Sequence, residues 1–156
     1  MHASVTLCFF VIHIMNSIEI AKNLFLEIQA KFPHISMEIN EEHEHVEINV
    51  DIPKQNGINY PINLNLQNCD ELHIVVSNFW CEWFPYTDPE ILNKYKNIVI
   101  GFISGKYRIV EYYKGKYVYK AELQAPKDGT WSTIARWSRL SWPLSFRRSE
   151  VIIQNV

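Results

Sequence analysis

Glycine is scarce in this chain, and the glycine-rich loops that bind phosphates are missing. The 156 residues include five glycines, and none of them lies in a GxGxxG or GxxxxGK[ST] arrangement. The GxSxG elbow of α/β-hydrolases and the HExxH motif of zinc proteases are absent as well. The sequence therefore predicts none of these well-marked nucleotide-binding or hydrolytic classes, and we expect no cofactor.

Cysteine is also rare. The chain has three cysteines, an odd number, and they show no CxxC spacing: Cys8, Cys69 and Cys81. A disulfide framework needs paired cysteines, and it forms in oxidising compartments. We therefore expect free thiols and a cytoplasmic location.

No apolar run in the sequence has the length of a membrane span. Val5 to Met15 is apolar but covers eleven residues, whereas a spanning helix needs about 20. No Lys or Arg precedes the run and no small-x-small cleavage site follows it, as a secretion signal would require. We expect residues 1–14 to be a mis-assigned start or a short apolar leader, with a buried extra strand or a degenerate signal or anchor as alternatives. Residues 15–156 are expected to form a single domain without membrane contact.

Apolar residues are plentiful enough for a sizeable core, at 47% of the chain, and 13% of the residues are aromatic. Two segments are predicted to be helical. The first starts with Asn16 as N-cap and Glu19 completing a capping box, and it ends before Pro33. The second starts with Asp88 as N-cap, followed by proline, and ends before Gly105.

Alternation of apolar and polar residues predicts strands between and after these helices. We expect four strands before the second helix, the fourth running from Leu72 to Phe79, and three or four strands after it. Turns are predicted at Lys114-Gly115 and at Pro126 to Gly129. The fold class is therefore α+β, with a mainly antiparallel sheet of about seven strands and two helices in the order α-β4-α-β3/4.

Glu82 is a candidate for acid–base chemistry because it lies between Trp80 and Trp83, and apolar neighbours favour the protonated form of a carboxyl group. His73 is its candidate partner. The alternative is that Glu82 ends a core strand and meets water or an arginine.

His43 and His45 lie in the polar segment Glu41 to His45 and are the candidate metal ligands. Neighbouring residues of a strand point to opposite faces, so the two histidines can cooperate only with each other or with a residue that the fold brings close, such as His73. A charged, solvated turn is the simpler interpretation. We therefore expect no bound metal.

Trp and Arg residues alternate near the end of the chain. Regular alternation would place Trp131 and Trp137 on one face of a strand. Such residues occur in sheet cores, in protein-binding hot spots and on nucleic-acid surfaces, of which nucleic acid is the least favoured here. The candidate partner-binding residues in this region are Arg136, Trp137, Arg139 and Trp142.

Charge is divided unevenly along the chain. Residues 1–93 carry 13 acidic side chains and three lysines, a net −10, whereas residues 94–156 carry 12 basic and four acidic side chains, a net +8. Such asymmetry is a hint of an interaction surface, unless the two halves intermingle and their charges pair. The candidate acidic residues for a basic protein partner are Glu41, Glu42, Glu44, Glu47 and Asp51.

The leading functional hypothesis is a non-catalytic protein-binding module, of the kind that a small bacterial immunity or inhibitor protein would be. The alternative is a small hydrolase or ligand-binding protein that uses Glu82 or the His43/His45 turn. A concave cluster of Glu82, His73 and an arginine would favour the alternative, and a flat acidic face would favour the binding module.

Overall fold

A computed structural model describes residues 2–139 and 147–155, with side chains described from residue 17 onward. Two helices and nine strands follow one another within these residues. They are α1 (His2–Lys31), β1 (Glu38–Asn40), β2 (Ile48–Ile52), β3 (Ile62–Gln67), β4 (Glu71–Val76), β5 (Phe79–Trp83), α2 (Pro89–Ile103), β6 (Arg108–Lys114), β7 (Tyr117–Lys127), β8 (Thr130–Ser138) and β9 (Arg148–Ile153).

The strands form two antiparallel sheets. The first sheet is a meander in the order β1-β2-β3-β4-β5, and the second has the order β8-β7-β6-β9. The α+β class with two helices and antiparallel pairing is therefore confirmed. The expected count of about seven strands and the order α-β4-α-β3/4 are not confirmed, because the described residues form nine strands in the order α-β5-α-β4.

The additional strand before α2 results from a turn at Ser77 and Asn78. Ser77 has a φ of 53°, a left-handed conformation that interrupts a strand. β4 therefore ends before this turn, and β5 returns antiparallel to it, with Val76 opposite Phe79. The sequence did not reveal the turn, because apolar residues occupy both faces of this segment and no glycine or proline marks the reversal.

The first helix begins earlier than expected. It starts at His2, so Asn16 lies in its interior, and neither the predicted capping box nor an extra strand is formed. Residues 2–15 contain no glycine or proline, so nothing in them interrupts helical hydrogen bonding. The end at Lys31, just before Pro33, agrees with the prediction. No helix within the described residues combines the length and the apolar character needed to cross a bilayer.

The second helix has the predicted ends. The Asp88 side chain accepts a hydrogen bond from the backbone N–H of Glu90 at 2.8 Å, which satisfies one of the free amides at the start of α2. Gly105, with a φ of 69°, follows the last turn. Gly101 lies inside the helix because the Tyr107 ring covers it, and a Cβ atom there would lie 2.6 Å from that ring.

The core lies between the helices and one face of the first sheet, and it continues to the second sheet. α1 contacts β2 and α2, and α2 contacts β5. Ile48, Leu64 and Ile74 are among the fully buried residues on the helix-covered face, and Leu123 and Ile153 extend the same cluster into the second sheet. The opposite face of the first sheet carries mainly polar residues.

Candidate functional site

The face of the first sheet that points away from the helices is polar and acidic. We call it the acidic face. Strand alternation and register place on it Glu38, Asn40, Asn49, Asp51, Asn63, Asn65, Gln67, Glu71, His73, Val75, Trp80 and Glu82. These strand residues, all of which the structure describes, include four carboxylates and no lysine or arginine. The acidic face therefore has a negative charge of its own.

Asparagines form a hydrogen-bonded row across the acidic face. Asn65 Nδ2 donates to Asn63 Oδ1 at 2.9 Å, and Asn63 Nδ2 donates to Asn49 Oδ1 at 2.7 Å and to Asp51 Oδ1 at 2.8 Å. Asn49 Nδ2 donates to the other carboxylate oxygen of Asp51 at 2.7 Å. The donors thus point toward Asp51, which fixes its carboxylate. At the other end of the row, Asn65 Oδ1 is buried and has no hydrogen-bond partner among the described residues.

A histidine and two carboxylates converge beside that end of the row. One ligand atom from each of Glu71, His73 and Glu82 lies within 4.8 Å of the others. Glu71 and His73 are two residues apart on β4, and Glu82 on β5 lies directly opposite His73. His73 Nε2 lies 3.4 Å from Glu71 Oε2. The hydroxyl of Tyr95 donates to the backbone carbonyl of His73 at 2.7 Å, so α2 anchors the centre of the cluster from the opposite side.

The fold therefore brings the predicted pair His73 and Glu82 together, but in a different setting from the expected one. Glu82 is exposed. Trp83 points to the opposite side of the sheet, where its ring meets the Tyr95 ring edge-on, with the ring centroids 5.5 Å apart. The third member of the cluster is Glu71 rather than an arginine. Sequence reasoning missed Glu71, although its spacing of two residues from His73 placed both on one face once β4 was assigned.

The segment Glu41 to His45 is an exposed loop between β1 and β2. Glu41 forms an ion pair with Lys22 of α1 at 2.7 Å, while Glu42 and Glu44 extend into solvent. His43 and His45 are both exposed and make an edge contact with ring centroids 6.0 Å apart. The convergent metal-ligating group found among the described residues does not include either of them.

Glu47, a candidate partner-binding residue, is engaged within the fold. Its carboxylate accepts a hydrogen bond from the backbone N–H of Cys69 at 3.0 Å and another from the Cys69 thiol at 3.1 Å. The hydrogen bond from the thiol, together with burial and the nearby negative charge, raises the pKa of Cys69 to about 11. Glu47 therefore holds the β3–β4 turn and keeps this thiol protonated.

The Trp and Arg candidates lie on the second sheet. Trp137 packs against the core, and its Nε1–H donates to the backbone carbonyl of Asn78 at 2.8 Å. Arg139 lies over the Trp137 ring, with its guanidinium carbon 5.2 Å from the centroid. Arg136 is exposed and lies 3.8 Å from the Glu122 carboxylate. Trp142 lies outside the described residues.

The expectation that Trp131 and Trp137 share a face is wrong. Trp137 pairs with Ala121 and Trp131 with Pro126, five positions apart on β7, because a bulge shifts the register in between. Because side chains alternate along a strand, Trp131 and Trp137 lie on opposite faces of the second sheet. Trp131 stacks with Arg108, whose guanidinium carbon lies 4.1 Å from the ring centroid.

The two charged halves of the sequence occupy different sheets. Residues 38–83, which contain the whole first sheet, carry nine acidic side chains and one lysine, a net −8. Residues 108–153, which contain the second sheet, carry nine basic and four acidic side chains, a net +5. In the second sheet, burial opposes ionisation of Glu122, but hydrogen bonds from Lys120, Tyr112 and Gln124 lower its pKa. This carboxylate therefore pairs within its own sheet.

Comparison with known proteins finds no matching family model, no similar curated protein and no similar solved structure.

Proposed function

We propose that this chain is a non-catalytic protein-binding module that captures a basic partner on its acidic face. The supporting observation is that four carboxylates share this open sheet face with no lysine or arginine among its strand residues. A surface of one charge attracts an oppositely charged partner and repels partners of like charge. An immunity or inhibitor protein would work in this way.

Trp80 supplies the apolar anchor that such a surface needs. It lies on the acidic face and is 49% exposed. Tryptophans are enriched in binding hot spots because they bury a large area and interact with cations through the ring face. A lysine or arginine of the partner can therefore contact Trp80 while neighbouring basic groups meet Glu82 or Asp51.

Capture from the source cell with quantitative mass spectrometry tests this proposal. The immobilised wild-type chain is compared with Glu38→Lys/Asp51→Lys and with Trp80→Ala, whose residues all lie on the acidic face. We expect one basic protein to be enriched by the wild type and depleted at least tenfold with both variants. The captured protein, once purified, should bind the wild-type chain directly and bind both acidic-face variants more weakly.

Glu19→Lys/Glu150→Lys is the matched control, because it changes the net charge equally at two exposed positions away from the acidic face. It should retain the captured protein. Equal losses in this control would mean that only total charge matters, and retention of every captured protein by the acidic-face variants would contradict the proposal. Melting temperatures show that each variant is folded.

The convergence of His73, Glu82 and Glu71 favours a second candidate function, a small hydrolase or ligand-binding protein. The carboxylates and the imidazole are within reach of one small molecule. Hydrolysis of chromogenic ester and phosphate substrates by the wild type, lost in Glu82→Gln, would support this function. Equal rates for the two proteins would eliminate it.

A further inference from the structure

We propose that Glu71, His73 and Glu82 form a zinc-binding site on the acidic face. The site goes beyond the proposed protein binding, and zinc binding does not require a partner. It also departs from the expectation of no metal, which rested on the exposed His43 and His45 and not on this cluster.

The geometry of the cluster suits zinc. Zinc binds imidazole nitrogen and carboxylate oxygen at about 2.1 Å, which places neighbouring ligand atoms of a tetrahedral site roughly 3.4 Å apart. His73 Nε2 and Glu71 Oε2 already lie 3.4 Å apart, and Glu82 completes a group within 4.8 Å. The two glutamate side chains are not fully buried, which leaves them room to rotate toward an ion.

The histidine at the centre is held in place before any ion binds. His73 is 8% exposed, so neighbouring residues restrict its ring. Its backbone is fixed by the β-ladders to Asn65 and Glu82 and by the Tyr95 hydroxyl. Such preorganisation strengthens metal binding because little conformational entropy is lost when the ligands converge.

The unpartnered oxygen of Asn65 is a second, independent observation that supports the site. Asn65 lies directly across the ladder from His73, and its buried Oδ1 accepts no hydrogen bond from any described residue. A buried acceptor without a partner is costly. A histidine that binds metal through one ring nitrogen usually donates its other N–H to a nearby oxygen. With Nε2 on the metal, we expect the Nδ1–H of His73 to donate to this unpartnered oxygen of Asn65, the residue paired with it on β3.

Charge also favours a divalent ion at this position. The two carboxylates of the cluster are accompanied only by one imidazole, and no lysine or arginine shares the strand residues of the face. A bound Zn²⁺ neutralises this negative charge. Three protein ligands leave the fourth tetrahedral position for water or for a side chain of a bound molecule.

Isothermal titration of the full chain with Zn²⁺, after removal of adventitious metal with a chelator, tests the site. We expect one ion per chain and an affinity at least tenfold lower in Glu71→Gln and Glu82→Gln. Binding should be abolished in His73→Ala, while Asn65→Ala should bind about ten- to a hundredfold more weakly. Cobalt in place of zinc should give the absorption of a tetrahedral site in the wild type, and this spectrum should be lost with His73→Ala.

His43→Ala/His45→Ala is the matched control and should bind zinc like the wild type. Glu82 is exposed, so Glu82→Gln remains folded and decides the matter even if His73→Ala does not fold. Three results would overturn the proposal: no saturable binding of one ion, equal affinity in the wild type and Glu82→Gln, or loss of binding in the His43/His45 control.

Discussion

Glu111 of β6 accepts a hydrogen bond from the backbone N–H of Asn78 at 2.7 Å, and this contact joins the β4–β5 turn of the first sheet to the second sheet. The same carboxylate accepts from Asn78 Nδ2 at 3.1 Å and from the Tyr113 hydroxyl at 2.6 Å. Trp137 donates to the carbonyl of Asn78. Glu111 is 1% exposed, so these donors, and not solvent, supply the hydrogen bonds of its side chain.

Replacement of Glu111 by alanine is therefore expected to destabilise the fold by about 3 kcal/mol, because it removes a buried carboxylate that accepts three hydrogen bonds. Urea unfolding of the wild type and the variant measures this loss. Glu150→Ala removes an exposed carboxylate from the same sheet and should change the free energy of unfolding by less than about 0.5 kcal/mol. Similar losses in both variants would show that Glu111 does not join the sheets.

Gly101→Ala is expected to lower the stability of the folded protein, although alanine is the better helix former. The new methyl group would lie 2.6 Å from the Tyr107 ring, and overpacking of this kind costs about 1–3 kcal/mol. Thermal unfolding measures the effect. Asn97→Ala, at an exposed position of the same helix, should cause no loss. In Gly101→Ala/Tyr107→Ala the clash is absent, so the double variant should be more stable than the sum of the single effects implies.

The Cys69 thiol is expected to react slowly with alkylating reagents, because Glu47 holds its pKa at about 11. Glu47→Gln should return this pKa toward the usual value of 9.0 and increase the thiolate fraction near neutral pH by up to about 100-fold. Mass spectrometry of the alkylated peptide over time gives the rate. The Cys81 peptide is the internal control, and an unchanged rate for Cys69 would disprove the role of Glu47.

Glu42→Lys/Glu44→Lys should slow association with a basic partner and make it less dependent on salt, once that partner is identified. Both residues are exposed in the β1–β2 loop, where charges act over long range and add little contact energy. The folding stability should change little. Stopped-flow rates across a salt series are the measurement, since screening acts over about 8 Å at physiological ionic strength. Equal rates for the wild type and the variant would restrict steering to the acidic face.

Local sequence signals determined several elements correctly. Asp88 with the following proline marked the start of α2, because a side-chain acceptor and a missing amide both suit a helix N-terminus. Alternation of apolar and polar residues predicted strands before α2, and β3 shows this alternation as a regular change between buried and half-buried residues. The α+β class followed from these patterns. Such signals act within a few residues and survive in any fold that contains the element.

Tertiary structure alone decided the division into two sheets and the composition of the candidate site. The turn at Ser77 has no glycine or proline, and the Trp131/Trp137 parity was reversed by a bulge that depends on pairing with β7. His73 and Glu82 were candidate partners in the sequence, but only the β4–β5 register placed Glu82 opposite His73 and beside Glu71. Register between strands depends on long-range packing of one face against the helices. For that reason a local pattern could indicate single candidate residues such as His73 and Glu82, while only the fold determined which side chains lie close together.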